Sequence, residues 1–486
     1  MLSRSHLAWA LPAGALLHRA FASAEAAAAP PLAAASPPHT KPPPPTLVDA
    51  RGRRCAEPTL LQVQAVFRHG ARLPVSDQGC RDGLCTWTSA DVDKSALLAA
   101  FGSRIELFAH GSGDALDPAQ LFGGRGGLAG SVVAPGALTP VGLQQGVDLG
   151  AELRERYVDP KAAACAAVRP GFLLPSSWER ARRLVHTRST RVERTVYTAA
   201  GVLNGLYPGV GVPVEIALSG PPQHEFLVLN DASSPRLREL FCQGQRLSSE
   251  HLDEAQRGLI ATIEAGAGWY VDDPEWKLIA YRDWYACRRA AGKGIPPSVE
   301  AVAAALDVAT AAQMHHIFEG GAAFTDDPEG TRTEALRLAI GRLWSHLLET
   351  LARPDRALHL YSGHDWSVSP LLMCCVARDD PLLHGWPPFC SNFCIELWST
   401  READREPQRL CHAACAGLAA AAAEGDYHVR VLYNGRPVRL QCSGGATCTL
   451  AQFTRHLAPY CVRDYAEESK PRTARGAARS KFGFNK

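Results

Sequence analysis

The segment that most restricts what this chain can become is Phe67-Arg68-His69-Gly70-Ala71-Arg72-Leu73-Pro74, which follows an apolar run from Leu60 to Phe67. The run, with Leu60, Val63 and Val66 spaced along it, predicts a strand whose end opens into a turn. Arginine offers a planar fork of donors that matches phosphate oxygens two at a time, and it stays charged at any working pH. Gly70 removes a side chain that would hold a ligand away from the backbone. Permanent positive charge beside His69 disfavours the protonated imidazole and leaves a ring nitrogen free to attack. The same residue types also decorate solvated loops, so the turn needs partners elsewhere in the chain to mean more than that.

The 486 residues could form one large α/β domain with an insertion, or two domains. With 46% hydrophobic and 21% charged residues the chain has the make-up of an ordinary globular enzyme. A formal net charge of +2 gives no broad electrostatic case for nucleic acid, so any anionic substrate has to be drawn by a local cluster.

The first 45 residues are of another kind. Met1 to Ala24 carry Arg4 and Arg19 and no acid, and the Ala/Pro-rich stretch to about Pro45 has too few large apolar groups to pack. The leader reads as a mitochondrial presequence, with Arg19-Ala20-Phe21-Ala22-Ser23 resembling a processing site; a secretory signal is the alternative. None of the five asparagines lies in an Asn-x-Ser/Thr acceptor. No later segment is long and apolar enough to span a bilayer.

Fifteen cysteines pull the other way, since Cys80 with Cys85, Cys390 with Cys394, Cys411 with Cys415 and Cys442 with Cys448 are disulfide candidates in an oxidising compartment. A zinc site finds little support, because no Cys-x-x-Cys pair exists and Cys411-His412 alone does not make a tetrahedral set.

Further along, Val75 to about Pro135 reads as loop, including the cluster Gly123-Gly124-Arg125-Gly126-Gly127. Thr139 and Pro140 then supply the cap and first position of a helix that ends near Tyr157. Arg183 to Arg188 reads as a strand, with a helix from about Val192 to Leu206 behind it. Helix-period apolar residues recur over 252–263, 276–289 and 299–318, which reads as a helical insertion, and a helix over about 331–351 leads back to the sheet. Leu358 to Tyr361 is a short strand running into Ser362-Gly363-His364-Asp365. Val429 to Val438 reads as a hairpin turning at Asn434-Gly435. After Glu468 come six Lys/Arg and no acid.

The pattern of Arg68-His69-Gly70, Arg72 and Pro74 after its apolar positions, joined by Leu138-Thr139-Pro140-Val141-Gly142 and His364-Asp365, resembles the histidine acid phosphatases. The resemblance implies an α/β fold, a central mostly parallel sheet flanked by helices in the manner of phosphoglycerate mutase, with an inserted α-helical cap. It divides the chain into a leader and linker over 1–45, a phosphatase domain over 46–230 and 326–466, a cap over 231–325 and a basic, disordered tail over 467–486. It implies a phosphohistidine mechanism, with His69 as nucleophile and Asp365 as proton donor. Arg68, Arg72, Arg188 and His364 would bind phosphate, while His186 and Arg194 are read as structural. No metal or other cofactor is called for, since guanidinium groups take the place of a cation. An acidic pH optimum follows if Asp365 must begin protonated.

The runs Val141-Gly142-Leu143-Gln144-Gln145, Trp386-Pro387-Pro388-Phe389 and Tyr433-Asn434-Gly435 are similar to the mitochondrial lysophosphatidic acid phosphatase branch of that family. Lysophosphatidic acid is accordingly one candidate among small phosphomonoester substrates. A phytase-like or sugar or inositol phosphatase is a second reading, for which Lys277, Arg282, Arg288, Arg289 and Lys293 would form a basic rim. A non-catalytic phospho-ligand binding protein is a third. Oligomeric state does not follow from these residues.

Overall fold

The computed structural model describes residues 42–75, 87–101, 105–109, 113–116, 134–162, 168–169, 171–209, 214–218, 225–268, 270–405 and 425–472. The leader, most of its linker, Cys80, Cys85, Cys411, Cys415, the Gly123–Gly127 cluster and the chain beyond Arg472 lie outside the described residues.

Ten strands make the main sheet: β1 (Thr59–Arg68), β2 (Ile105–Ala109), β3 (Ala115–Leu116), β4 (Val185–Ser189), β5 (Val214–Leu218), β6 (Leu358–Gly363), β7 (Asn392–Ser399), β8 (Tyr427–Tyr433), β9 (Arg436–Pro437) and β10 (Thr447–Thr449). Their order is β9-β8-β7-β1-β6-β4-β5-β2-β3, with β10 also on β8. The centre, β1-β6-β4-β5-β2, is parallel throughout. The margins are antiparallel, so the sheet is mixed, and the expected parallel character belongs to its middle.

Strand β1 explains the layering. Val63, Ala65 and Phe67 belong to one hydrophobic core while Leu61 and Val66 belong to the other, so the strand is apolar on both faces, as a central parallel strand covered by helices must be. Its two polar residues on this run, Gln62 and Gln64, are fully buried, and their amide N–H groups donate to Arg356 O, to Leu347 O and to Gln62 Oε1. One face is covered by α1 (Pro140–Tyr157) and α2 (Glu193–Leu206), which bring Leu149, Leu153, Val196 and Leu203 against Phe67 and Leu360.

Four longer helices lie between β5 and the return to the sheet: α3 (Pro235–Glu250), α4 (Glu254–Ala267), α5 (Lys277–Ala290) and α6 (Ala303–Phe318). The other face of the sheet carries α7 (Pro328–Ala352) and α8 (Asp365–Cys375). Helices α3 and α6 share the core of that face through Leu240, Phe241, Met314 and Phe318. Helices α4 and α5 close a separate core with the start of α6, around Leu259, Ile263, Tyr281, Trp284 and Leu306.

Several local expectations change. The span read as loop contains the short helix Ser95–Phe101 and strands β2 and β3, too short to announce themselves by periodicity. Helix α3 was not anticipated, although Ser234 accepts from Leu237 N and Pro235 opens it as a capped helix should. The expected helix over 299–318 is interrupted at Val302, which separates Pro297–Ala301 from α6. Residues 467–472 are ordered rather than a free tail: Ser469 O accepts from Arg236 N at 3.0 Å and Arg472 pairs with Glu334 at 2.9 Å. Between β8 and β9, Asn434 (φ 45°) and Gly435 (φ 75°) form the expected tight turn in the left-handed region. Of the cysteines expected to pair, the described ones, Cys390, Cys394, Cys442 and Cys448, are free thiols. Among the described residues, no helix is long and apolar enough to cross a membrane.

Candidate active site

Strands β1 and β6 run parallel with Arg68 opposite Gly363, so the two motifs leave the sheet together at the carboxyl ends of adjacent central strands. That is where open α/β sheets collect ligands. His69 N donates to Gly363 O at 3.0 Å, and His364 is the N-cap of α8 with Asp365 its first residue.

The turn after β1 is held by the helices beneath it. A Cβ on Gly70 would stand 2.1 Å from Gly142 O, and one on Gly142 would stand 2.0 Å from Ala71 O. Gly70 therefore makes room for α1, which corrects the reading of this glycine as space for a ligand. Gly70 N donates to Thr198 Oγ1 at 3.0 Å and Ala71 N to Gln145 Oε1 at 2.8 Å. Thr139 caps α1 by accepting from Gly142 N and donates to Ala71 O.

His69 is 1% exposed, and its Nδ1 lies 2.8 Å from Gly70 O. A carbonyl can only accept, so Nδ1 carries the proton and Nε2 keeps its lone pair. Burial, then the charges of Arg194, Arg68 and Arg72, hold its pKa well below the ordinary histidine value, so the ring is neutral. His364 meets His69 edge-on with ring centroids 5.4 Å apart, and its Nε2 lies 3.0 Å from Thr190 Oγ1.

Arg68 donates from Nη1 to Pro387 O at 2.6 Å, pairs through Nη2 with Asp365 at 2.8 Å, and lies over the Phe389 ring at 4.3 Å. Arg72 donates to Leu73 O at 2.8 Å and pairs with Asp283 of α5 at 2.7 Å. Asp365 also accepts from the Trp386 indole N–H at 2.8 Å. Burial alone would raise the Asp365 pKa, but Arg68, Arg72 and that hydrogen bond bring it down to about 2.

The expected third arginine, Arg188, and a further one, Arg194, differ in their surroundings. Arg188 stands opposite Tyr361, two positions before the Arg68–Gly363 level, and its guanidinium lies over the Phe226 ring at 3.8 Å in the field of Glu225. Arg188 is not among the charges that act most strongly on His69 or His364. Arg194, read as structural from sequence, is in the first turn of α2. Burial and Arg72 push its pKa down to about 9, and it is the foremost charge acting on both His69 and His364. The available signal was its position at the start of a helix that follows a central strand, where N-termini face the ligand crevice.

The Nε atoms of Arg68, Arg72 and Arg194 are buried without a hydrogen-bond partner among the described residues. Buried donors of this kind require an acceptor, and a tetrahedral oxyanion supplies several at once. Three guanidinium groups against the carboxylates Asp365 and Asp283 leave one net positive charge to receive it. Among the described residues no group of three or more His, Cys, Asp or Glu could hold a metal ion. Trp386, Asp283 and Thr190 carry no site role in the sequence reading, since each reaches the site only through tertiary contact.

The chain is similar to several known proteins. Residues 59–250 match the description of the histidine phosphatase superfamily (branch 2). Lysophosphatidic acid phosphatase type 6 of Bos taurus is 26% identical over 359 residues, covering 71% of this chain and 75% of that one. Prostatic acid phosphatase of Bos taurus is 23% identical, covering 70% and 81%. The crystal structure of Klebsiella sp. ASR1 phytase aligns with a TM-score of 0.42 at 17% identity, covering 90% and 99%. The matched segment runs from β1 into α3 and brings the His69 turn with it, so the likeness to the histidine phosphatase superfamily (branch 2) covers the first half of the site.

Proposed function

We propose that this protein hydrolyses phosphate monoesters through a phosphohistidine on His69. The observation that carries the reading is the Nδ1–H of His69 fixed on Gly70 O, which leaves Nε2 unprotonated beside the unpartnered Nε groups of Arg68, Arg72 and Arg194. In the first step Nε2 attacks phosphorus, the P–O bond to the alcohol breaks, and the departing oxygen takes a proton from Asp365. In the second step water attacks the phosphohistidine, Asp365 accepts its proton, the P–N bond breaks, and inorganic phosphate leaves. The three guanidinium groups and His364 hold the nonbridging oxygens in line and offset the charge they carry.

The same reading favours a substrate with a single phosphate. The cap cations that would have formed a rim for a polyphosphate are engaged: Lys277 with Glu264 at 2.8 Å, Arg282 with Asp307 at 3.0 Å, Arg288 with Gly294 O at 2.8 Å, Arg289 with Glu300, and Lys293 with Asp91 at 2.9 Å. Lysophosphatidic acid, cleaved to monoacylglycerol, is the first monoester to test, because relatives that share most of the chain are named for it. The test is a panel of lysophosphatidic acid, phytate and p-nitrophenyl phosphate, with His69→Ala as control. Turnover of lysophosphatidic acid above phytate supports the reading. Phytate as the preferred substrate overturns the single-phosphate assignment, and turnover unchanged by His69→Ala overturns the mechanism.

A further inference from the structure

We infer that Asp283, carried by helix α5 of the insertion, is a positioning residue for Arg72: it grips one edge of the guanidinium so that the other edge faces the phosphoryl group. The inference rests on the phosphatase reading above and adds a part to its machinery from outside the sheet domain.

A guanidinium has an end-on edge formed by Nη1 and Nη2 and a side-on edge formed by Nε and Nη2, each able to hold two oxygens. Asp283 takes the end-on edge of Arg72, with Oδ1 at 2.7 Å from Nη2 and Oδ2 at 3.1 Å from Nη1. The remaining Nη1 hydrogen goes to Leu73 O at 2.8 Å. What is left is the side-on edge, whose Nε is buried without a partner among the described residues. Asp283 Oδ2 also accepts from Val75 N at 3.2 Å, so the carboxylate is tied to the same turn that carries Arg72. Cys287, one turn further along α5, packs with Leu73 and Trp87 and fixes that face of the helix against the turn. Asp283 thus reaches across 211 positions of sequence to set the angle of a phosphate-binding group, at the cost of cancelling part of the positive field in the site.

That combination makes the carboxylate separable from a general structural support. Asp283→Asn removes the ionic grip and also one negative charge near the bound anion. The experiment measures kcat on p-nitrophenyl phosphate and the inhibition constant for inorganic phosphate in wild type, Asp283→Asn, Asp283→Glu, Arg72→Gln and the Arg72→Gln/Asp283→Asn pair, with thermal unfolding to establish that each is folded. Expected is a kcat loss of about tenfold or more in Asp283→Asn. Phosphate should inhibit that variant at least as tightly as wild type, and the kcat loss should shrink to less than about threefold in the Arg72→Gln background. Should Asp283→Asn not fold, Asp283→Glu carries the same measurements, its added methylene displacing the grip while keeping the charge. A kcat within about twofold of wild type in the folded variant, phosphate affinity falling in step with kcat, or the same loss with Arg72 absent would each overturn the inference. A wild-type protein that binds phosphate by calorimetry yet turns over no monoester defeats the phosphatase reading instead. Asp283 is then judged by whether Asp283→Asn binds phosphate as tightly as wild type only while Arg72 is present.

Discussion

Arg68 and Asp365 are joined at 2.8 Å through Nη2 and Oδ2 in a buried site, and the group assigned to protonate the leaving alcohol is ionised in the free protein. The acid and the strongest influence keeping it from being an acid are neighbours. A phosphate entering the cage changes that balance, because its charge offsets Arg68 and Arg72 and releases Asp365 to take up a proton.

The pH dependence follows from this with its sign. Asp365 is held at about 2, so in the free enzyme it carries no proton across the working range, and the proton has to arrive with the substrate. Phosphate monoesters lose their second proton near pH ~6, and His69, held well below its ordinary value, stays neutral on the acid side. kcat/KM should be level in mild acid and fall about tenfold per pH unit above about pH 6. The descending limb should move when an aryl phosphate replaces an alkyl phosphate. A limb at one pH for both substrates would assign the titration to the enzyme. The acidic optimum expected from sequence is kept, but its cause moves from Asp365 to the bound monoanion. Because the folded pKa of Asp365 is depressed, its share of stability is complete above the unfolded value and is lost as pH falls toward about 2.

Exchanging the roles of two arginines gives a sharp test. Arg194→Ala should lower kcat/KM by about 100-fold or more, since it removes a preorganised donor from the phosphoryl site. Arg188→Met should leave kcat within about threefold and reduce stability by about 2–3 kcal/mol, by leaving Glu225 without its neighbour. Steady-state kinetics with thermal unfolding on both variants checks this; a larger catalytic loss in the Arg188 variant would restore the sequence-based assignment.

Trp386 anchors the second oxygen of Asp365 through its indole N–H at 2.8 Å. Trp386→Phe keeps the ring and deletes the donor, and a lost hydrogen bond to a charged group of about 1.5 kcal/mol corresponds to roughly tenfold in kcat. KM should change little, because the indole touches the proton donor rather than the phosphate cage. A rise in KM with kcat unchanged would contradict the assignment.

Gly142→Ala places a methyl group 2.0 Å from Ala71 O, where both partners are backbone. The turn bearing His69 and Arg72 must shift or α1 must move away. A stability loss of about 1–3 kcal/mol is expected, together with a kcat loss larger than at an exposed position of the same helix such as Val141. Retained activity and unchanged unfolding would show that the close approach of α1 is dispensable.

How much of this was legible in the sequence depends on how far each residue's role is local. Strand β1 and the His364-Asp365 turn were readable because a long apolar run followed by a polar break has few alternatives, and the Asn434-Gly435 turn because its backbone needs left-handed φ at both positions. Arg194 was not readable. It and Arg188 flank the same strand end, and only the folded chain shows that Arg194 is the one whose charge bears on His69 and His364. Asp283 was beyond reach for another reason: on its own helix it is an ordinary acid, and its meaning comes from Arg72, 211 positions away. The cap cations misled in the opposite direction, since each carries a partner that composition does not reveal.

The central claim is that phosphate passes through the Nε2 of His69. Mixing the protein with a 32P-labelled monoester, quenching in alkali within milliseconds and mapping the label by peptide tests it directly, because a phosphorus–nitrogen bond survives alkali and breaks in acid. The expected result is acid-labile label on the peptide containing His69 and absent from His69→Ala. Turnover by the wild-type protein with no label on His69 under the same quench would contradict it.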